Sequence, residues 1–285
     1  MNGPLDYLGR WPLRLWLGVV GLFLYAPLAI LVIFSFNDSK RTIIWQGFTT
    51  RWYTALFNDT ELLMAFGNSL TIALISALIS LVLGTMVALL LWRFRFPGKA
   101  GVEGLLALPI VVPEICLGVA FLVFFTTVLP WPTDLAWPLN LGVIIIAHVS
   151  FSFSFVALVV RARLGGFNRD FEEAARDLGA SEARIFRDIM LPHLRPGLVA
   201  GGLLAFTLSL DDFVITFFTS GPDTVTFPVK VYAMVRFSVT PEVNAASTLL
   251  IVLTAGLTAL ALKLQGSDID KRPKLQGGDI AKPAA

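Results

Sequence analysis

Three carboxylates inside apolar stretches are the residues of this sequence best suited to chemistry. Glu114 lies within residues 104–129, and the adjacent Asp211 and Asp212 lie within residues 198–220. Neither stretch contains a lysine or an arginine. An acidic side chain in the middle of a bilayer costs roughly 2.5–3.5 kcal/mol, and such residues mark solute paths or proton relays. We therefore expect these carboxylates to line a polar path for a cationic solute.

Two alternatives remain open for the three carboxylates. They could be protonated, or hydrogen-bonded to Ser209, Asn68 or His148, and would then have no direct role in a path. In an ion-coupled transporter they would instead carry protons. His148 itself is interpreted as a hydrogen-bonded core histidine rather than a proton relay.

A second feature is a segment with seven arginines, residues 161–196, which we call the arginine-rich loop. These arginines alternate with acidic residues, among them Glu172, Glu173, Asp177, Glu182 and Asp188. A surface that only binds anionic lipid would have no use for the acidic residues, although an amphipathic hairpin on the membrane is the simplest alternative. Mixed charge is better suited to a protein partner.

The arginine-rich loop is predicted to form two short helices. Asp170 and Glu173 have the spacing of a capping box at the start of the first helix. Gly179 suits the left-handed position that ends it. Ser181 is expected to cap the second helix, and Pro192 to stop it, because proline has no backbone N–H to donate.

The elements that must position these residues are membrane-spanning helices. Of the 285 residues, 56% are hydrophobic and 15% are charged, whereas a soluble domain is about one quarter charged. A spanning helix needs about 20 apolar residues. Pro109 and Pro113 are expected to interrupt the third span beside Glu114, as tolerated where a helix borders a cavity. We predict an all-α membrane protein with six spans, at about 15–36, 69–92, 104–129, 140–160, 198–220 and 244–263.

The distribution of basic residues predicts the orientation of these spans. With both termini in the cytoplasm, 17 of the 22 lysines and arginines face that side, as the positive-inside rule requires. Residues 1–14 then form a cytoplasmic N-terminus, and the polar residues 264–285 are expected to be a disordered cytoplasmic tail. The net charge of only +2 argues against a nucleic-acid partner, and the single cysteine, Cys116, excludes an internal disulfide.

The arginine-rich loop carries a recognisable motif. Its fixed positions are Glu173, Ala174, Ala175, Gly179, Ile189, Leu191 and Pro192. This pattern resembles the EAA signature of inner-membrane permease subunits in binding-protein-dependent ABC importers. The resemblance to their MetI-like fold covers residues from about Asn68 to Lys263, with the first span as an added helix.

The resemblance implies several partners. The seven motif residues would couple the chain to a cytoplasmic ATPase, present in two copies, and a second, homologous permease subunit would complete the membrane part within the lipid. No Walker A motif occurs, since the nearest string, residues 96–100, lacks the first glycine and the hydroxyl residue. The chain is therefore expected to be a transport subunit rather than an enzyme, with ATP and Mg²⁺ bound by the ATPase and no cofactor of its own.

Residues 205–222 and 240–245 resemble the putrescine and spermidine permeases of the PotI/PotC type. That resemblance implies a polyamine solute, a periplasmic polyamine-binding protein, and a path lined by Asp211, Asp212, Glu114 and Phe213. An importer of another small solute and, less favoured, an ion-coupled secondary transporter remain alternatives. A membrane-embedded enzyme is disfavoured, because two distant histidines and one cysteine do not form a catalytic constellation.

Overall fold

The computed structural model describes residues 10–39, 44–128, 139–237 and 240–269. Within these ranges the chain is helical, with π-helical turns at Phe124–Val128 and Phe186–Met190 and a 3₁₀ turn at Pro222–Thr224. The α-helices are α1 (Arg10–Phe34), α2 (Arg51–Asn58), α3 (Thr60–Arg93), α4 (Lys99–Val111), α5 (Glu114–Val123), α6 (Leu141–Leu164), α7 (Asp170–Asp177), α8 (Glu182–Ile185), α9 (Leu191–Leu210), α10 (Val214–Thr219), α11 (Phe227–Phe237) and α12 (Pro241–Ile269).

The helices account for the predicted spans. Five of those in the described ranges, namely α1, α3, α6, the continuous helix through α8 and α9, and α12, are long and apolar enough to cross a membrane. The pair α4 and α5 adds a sixth span if it is counted as one bent unit. Each of these helices extends beyond its predicted bounds at one end at least, and α12 continues six residues past the predicted boundary at 263 to Ile269. The remainder of the predicted tail lies outside the described residues.

The third span is broken as the sequence suggested, but by only one of its two prolines. The helix axis turns by 105° between α4 and α5. Val112 is extended there, with φ −73° and ψ 132°, because a residue before proline disfavours the helical region. Pro113 then occupies the N-cap of α5. Pro109 lies within α4 and does not end it.

One compact unit comprises the described residues of Met1–Ser69 and of Pro222–Thr254. Its core contains Trp52, Leu56, Leu62, Phe227, Ala245 and Ala246. Asn37 stabilises the chain that follows α1 through hydrogen bonds. Its Nδ2 donates to the Ile44 carbonyl at 2.8 Å, and its own carbonyl accepts a bond from Trp52 Nε1 at 2.8 Å.

The second compact unit, Leu70–Gly221 with residues from Ala255 onward, holds every predicted functional residue. Its core is built chiefly by α3, α6 and α9. Gly197 and Gly201 of α9 allow the close contact with α6, because an added Cβ would lie 3.1 Å from Arg163 Cβ and 3.3 Å from Val156 Cγ1. Small residues four apart are a common device for close helix packing in membranes.

The end of the arginine-rich loop differs from the prediction. Pro192 does not stop the second helix, because α9 runs from Leu191 through this residue and through Pro196. Pro192 closely follows a π-helical turn, where the regular hydrogen-bond pattern of the helix is already interrupted. The π-helical turn at Phe186–Met190 connects α8 directly to α9, so that the loop and the fifth span share one continuous helix.

Candidate functional site

The adjacent aspartates occupy a break within the predicted fifth span, between α9 and α10. Asp211 is the C-cap of α9, and its amide donates to the Thr207 carbonyl at 3.1 Å. The Asp211 residue is exposed. The chain resumes a helix at Val214. Asp211 therefore places an exposed carboxylate at a point where the span is not helical.

Asp212 has a different environment from its neighbour. Its side chain is only 6% exposed. Asp212 Oδ2 accepts hydrogen bonds from the Thr216 amide and the Thr216 hydroxyl, each at 2.8 Å, and Oδ1 accepts a longer one from the Ile215 amide at 3.4 Å. These bonds cap the N-terminal end of α10, where a carboxylate is favourable. The alternative of a hydrogen-bonded carboxylate therefore describes Asp212.

His148 of α6 binds this capping aspartate. Its ring is 2% exposed, with Nδ1 2.7 Å from Ser209 Oγ and Nε2 2.9 Å from Thr216 Oγ1. Nε2 also lies 3.3 Å from Asp212 Oδ2. The prediction of a hydrogen-bonded core histidine is confirmed. Asn68, the other partner considered, instead donates to the Val225 carbonyl at 3.0 Å.

Glu114 lies close enough to Asp211 for their charges to interact. It is the first residue of α5 and is exposed. Gly118, one turn later on the same face, packs so closely against α10 that an added Cβ would lie 2.7 Å from Phe218 Cδ2. The packing of the two half-helices therefore brings together two of the predicted carboxylates.

Phe213 completes the predicted set of path residues. It is half-buried at the start of α10. Its ring centroid lies 5.5 Å from that of Phe217. An aromatic pair thus follows directly after the two aspartates.

The first helix of the arginine-rich loop ends as predicted. Gly179 has a φ of +78°. Its amide donates to the Arg176 carbonyl at 2.8 Å, and the Ala180 amide donates to the Ala175 carbonyl at 3.0 Å. This pair of bonds is a Schellman motif, which requires the left-handed conformation that glycine adopts without strain.

The predicted caps of the two loop helices differ in detail. Asp170 is the first residue of α7 and not its cap. Its amide donates a hydrogen bond to Asn168 Oδ1 at 3.0 Å. Ser181 does occupy the N-cap of α8, but its side chain makes no capping bond. An asparagine two residues ahead supplies the same kind of acceptor, so the capping-box spacing was misleading here.

The motif residues are mainly on the surface of the loop. Glu173, Ala174, Gly179 and Pro192 are exposed, whereas Ala175, Ile189 and Leu191 are half-buried. The residues that anchor the loop are instead Ile185 and Met190, both buried. Phe186, which follows Ile185 directly, is 42% exposed.

Sequence reasoning missed the role of Glu172. Its side chain is 3% exposed and pairs with Arg93 at the end of α3 and with Arg176 at 3.4 Å. Arg176 Nε also donates to Glu182 at 2.6 Å, and this bond raises the pKa of Arg176 above its usual value. The four-residue spacing of Glu172 and Arg176 was a signal of pairing, but nothing in the sequence indicates Arg93.

Metal coordination has no evident place in this arrangement. Across the described ranges, no group of three or more histidine, cysteine, aspartate or glutamate side chains is arranged to hold a metal ion.

The fold defines the class of protein. The structure superposes with a TM-score of 0.72 on a bacterial ABC transporter involved in the import of the acidic polysaccharide alginate, at 17% identity, covering 90% of this chain and 96% of that one. The architecture is thus that of an ABC importer permease. Residues 80–267 match the model of the binding-protein-dependent transport system inner membrane component family. This chain belongs to that family, and it is an inner-membrane protein.

Two relatives are similar over most of their length. The putrescine transport system permease protein PotI of Escherichia coli K12 is 43% identical over 246 residues, which is 85% of this chain and 86% of the relative. The spermidine/putrescine transport system permease protein PotC of Shigella flexneri is 41% identical over 258 residues, 90% and 94% of the two chains. Both are permease proteins of transport systems.

Proposed function

We propose that this chain is a transmembrane permease subunit of an ATP-driven importer of polyamines such as putrescine and spermidine. The observation that carries the proposal is its identity of 41–43% to putrescine and spermidine permeases over most of the chain. The exposed carboxylates of Glu114 and Asp211 fit that solute, because a polyamine is a flexible organic cation with two or more charges.

The solute path is inferred from the two breaks in the spans. Glu114 and Asp211 attract the ammonium groups, and Phe213 offers a ring face for a cation–π contact. Discontinuous helices in the membrane are a common way to build a transport site. Binding along the path must be weak enough for release, so selectivity rests chiefly with a separate periplasmic polyamine-binding protein.

The arginine-rich loop is inferred to transmit the work of a separate cytoplasmic ATPase. Glu173, Ala174 and Gly179 are exposed and free to meet a partner surface, with both chain termini on the same, cytoplasmic side. Because α8 continues through a π-helical turn into α9, a movement of the loop is passed directly to the break at Asp211. ATP and Mg²⁺ bind the ATPase in this assignment.

The complete importer contains two permease subunits, two ATPase copies and one binding protein. The second permease is a homologue of this chain and supplies the other half of the path. Rigid-body motion of the two halves against each other would open the path alternately to either side.

Reconstitution of the complete complex in proteoliposomes tests this function. We expect ATP-dependent uptake of radiolabelled putrescine or spermidine, and no uptake of 1,4-butanediol, which has the length of putrescine without its charges. Uptake by this chain without the ATPase would identify an ion-coupled transporter instead. Thermal-shift screening of the binding protein against polyamines and amino acids distinguishes a polyamine from another small solute.

A further inference from the structure

The ring of His148 lies where three elements of the second unit meet. It belongs to α6, and its partners are Ser209 of α9, Asp212 of the break and Thr216 of α10. A buried polar network of this kind is costly unless every member is satisfied. Its retention beside the carboxylates of the proposed path therefore calls for a reason.

The hydrogen count of the network requires a hydrogen on Nε2 of His148, whether the ring is neutral or protonated. The Thr216 hydroxyl has one hydrogen and donates it to Asp212. The bond between His148 Nε2 and Thr216 Oγ1 must then use a hydrogen on Nε2. In the neutral ring, Nδ1 accepts from the Ser209 hydroxyl; in the protonated ring, Nδ1 donates to the Ser209 oxygen. His148 keeps its contacts with Ser209 and Thr216 in both states, so it holds Asp212 irrespective of the charge on the ring.

The consequence is a division of roles between neighbouring aspartates. Asp212 uses its side chain to cap α10 and to bind α6, and is buried. Asp211, one residue earlier, is exposed, and its charge interacts with that of Glu114. Only Asp211, Asp212 and Phe213 separate α9 from α10. With Asp212 held from two sides, the direction in which Asp211 leaves the backbone is restricted.

We propose that His148 is a positioning residue, which holds the break at Asp212 against α6 and thereby directs the Asp211 carboxylate toward the transported cation. The inference rests on the proposed function for the identity of the cation. Its geometric content, that His148 determines where residue 211 points, is independent of the solute.

A double-mutant cycle in the reconstituted complex tests the transport role. We expect His148→Leu and Asp211→Asn each to lower polyamine uptake by about tenfold or more. The uptake of the double variant should be no lower than that of the single variant with the lower uptake. His148→Gln retains a donor at the position of Nε2 and should restore most of the uptake. Ser150→Ala, on the same helix outside the network, serves as the control and should transport normally.

The cycle also distinguishes positioning from a merely structural effect. If the double variant falls to the product of the two single reductions, His148 acts independently of Asp211 and the proposal is wrong. Normal uptake by His148→Leu would also overturn it. Should His148→Leu fail to assemble, Thr216→Val takes its place in the same cycle, because it keeps the side-chain shape while removing the hydroxyl that joins His148 to Asp212.

A thiol-accessibility measurement requires no solute. In a Cys116→Ser background, which removes the exposed native thiol, the variant Asp211→Cys is labelled with a cationic methanethiosulfonate reagent. We expect His148→Leu to change the labelling rate by about fivefold or more, and an unchanged rate would overturn the proposal. If the wild-type complex transports no polyamine but the labelling rate still changes, the proposed solute is wrong and the positioning role stands.

Discussion

Glu172 and Glu173 are consecutive residues of α7, yet Glu172 is buried in an ion pair with Arg93 whereas Glu173 is exposed. The buried carboxylate is 3% exposed and ties the arginine-rich loop to the end of α3. The exposed carboxylate is the first residue of the motif and is available to a partner. The loop therefore has an inner acidic residue that anchors it and an outer, exposed one that is available for the proposed contact with the ATPase.

We expect Glu173→Lys to lower ATP-driven uptake at least about tenfold while leaving the subunit assembled. The reason is that the change reverses the charge at an exposed contact. Uptake and ATP hydrolysis in the reconstituted complex measure the coupling, and gel filtration measures assembly. Retained transport would reject the coupling role of Glu173.

We expect Glu172→Gln, at the neighbouring residue, to lower the stability of the protein instead. Removing one partner of a buried ion pair leaves Arg93 and Arg176 without their shared carboxylate, at a cost of about 1–3 kcal/mol. Thermal unfolding of the purified complex in detergent measures the difference. The assignment of an inner and an outer glutamate fails if Glu172→Gln is as stable as the wild type, or if Glu173→Lys is destabilised as strongly.

Local patterns were sufficient for much of the fold. Apolar stretches of about 20 residues located the spans. Gly179 marked the end of α7 because a left-handed residue there is a property of the chain itself. Pro113 marked the bend between α4 and α5, because the residue before a proline disfavours the helical region. Each of these signals acts within a few residues, so a single sequence contains it.

The contacts between distant residues were beyond such patterns. Arg93 and Glu172 are 79 residues apart, and His148 and Thr216 are 68 apart. The sequence identified the carboxylates as candidates but could not separate Asp211 from Asp212, since adjacent residues have the same composition around them. Only the packing of α6 against α9 and α10 makes one of them structural.

A close helix contact provides a prediction about stability. An added Cβ at Gly84 of α3 would lie 2.7 Å from both the Phe153 carbonyl and Val156 Cβ, whereas Gly67 of the same helix has open space around it. Gly84→Ala should destabilise the protein by about 1–3 kcal/mol through overpacking. Gly67→Ala should be neutral or stabilising by up to about 1 kcal/mol, because alanine is the better helix former. Thermal unfolding of both variants in detergent measures this, and equal effects would contradict the close contact.

The turn at Gly179 allows a comparable test within the arginine-rich loop. Gly179→Val forces a β-branched residue to a φ of +78°, which is strained whatever the surrounding space. We expect coupled ATP hydrolysis, stimulated by the loaded binding protein, to be lost while the complex still assembles. Gly166→Ala is the control, because an added Cβ there meets only the Arg163 carbonyl at 3.8 Å. Full stimulation in Gly179→Val would show that the turn is dispensable.

The charge of the solute gives the sharpest test of the path. Removal of one carboxylate weakens the attraction in proportion to the charge of the cation. Asp211→Asn or Glu114→Gln should therefore lower the uptake of trivalent spermidine more than that of divalent putrescine. The difference should shrink at high salt, which screens exposed charges. Initial uptake rates of the two solutes in parallel, with the binding protein saturated, measure the ratio.

Asp223→Asn makes the same chemical change at an exposed aspartate outside these breaks, and should leave the ratio of spermidine to putrescine uptake unchanged. An equal loss for both solutes in Asp211→Asn would mean that its carboxylate supports the structure rather than the passing cation. A changed ratio in Asp223→Asn but not in Asp211→Asn would place the selective charge elsewhere. A changed ratio in Asp211→Asn alone would assign the contact with the cation to the exposed aspartate of the pair, because the buried Asp212 is unchanged in all of these variants.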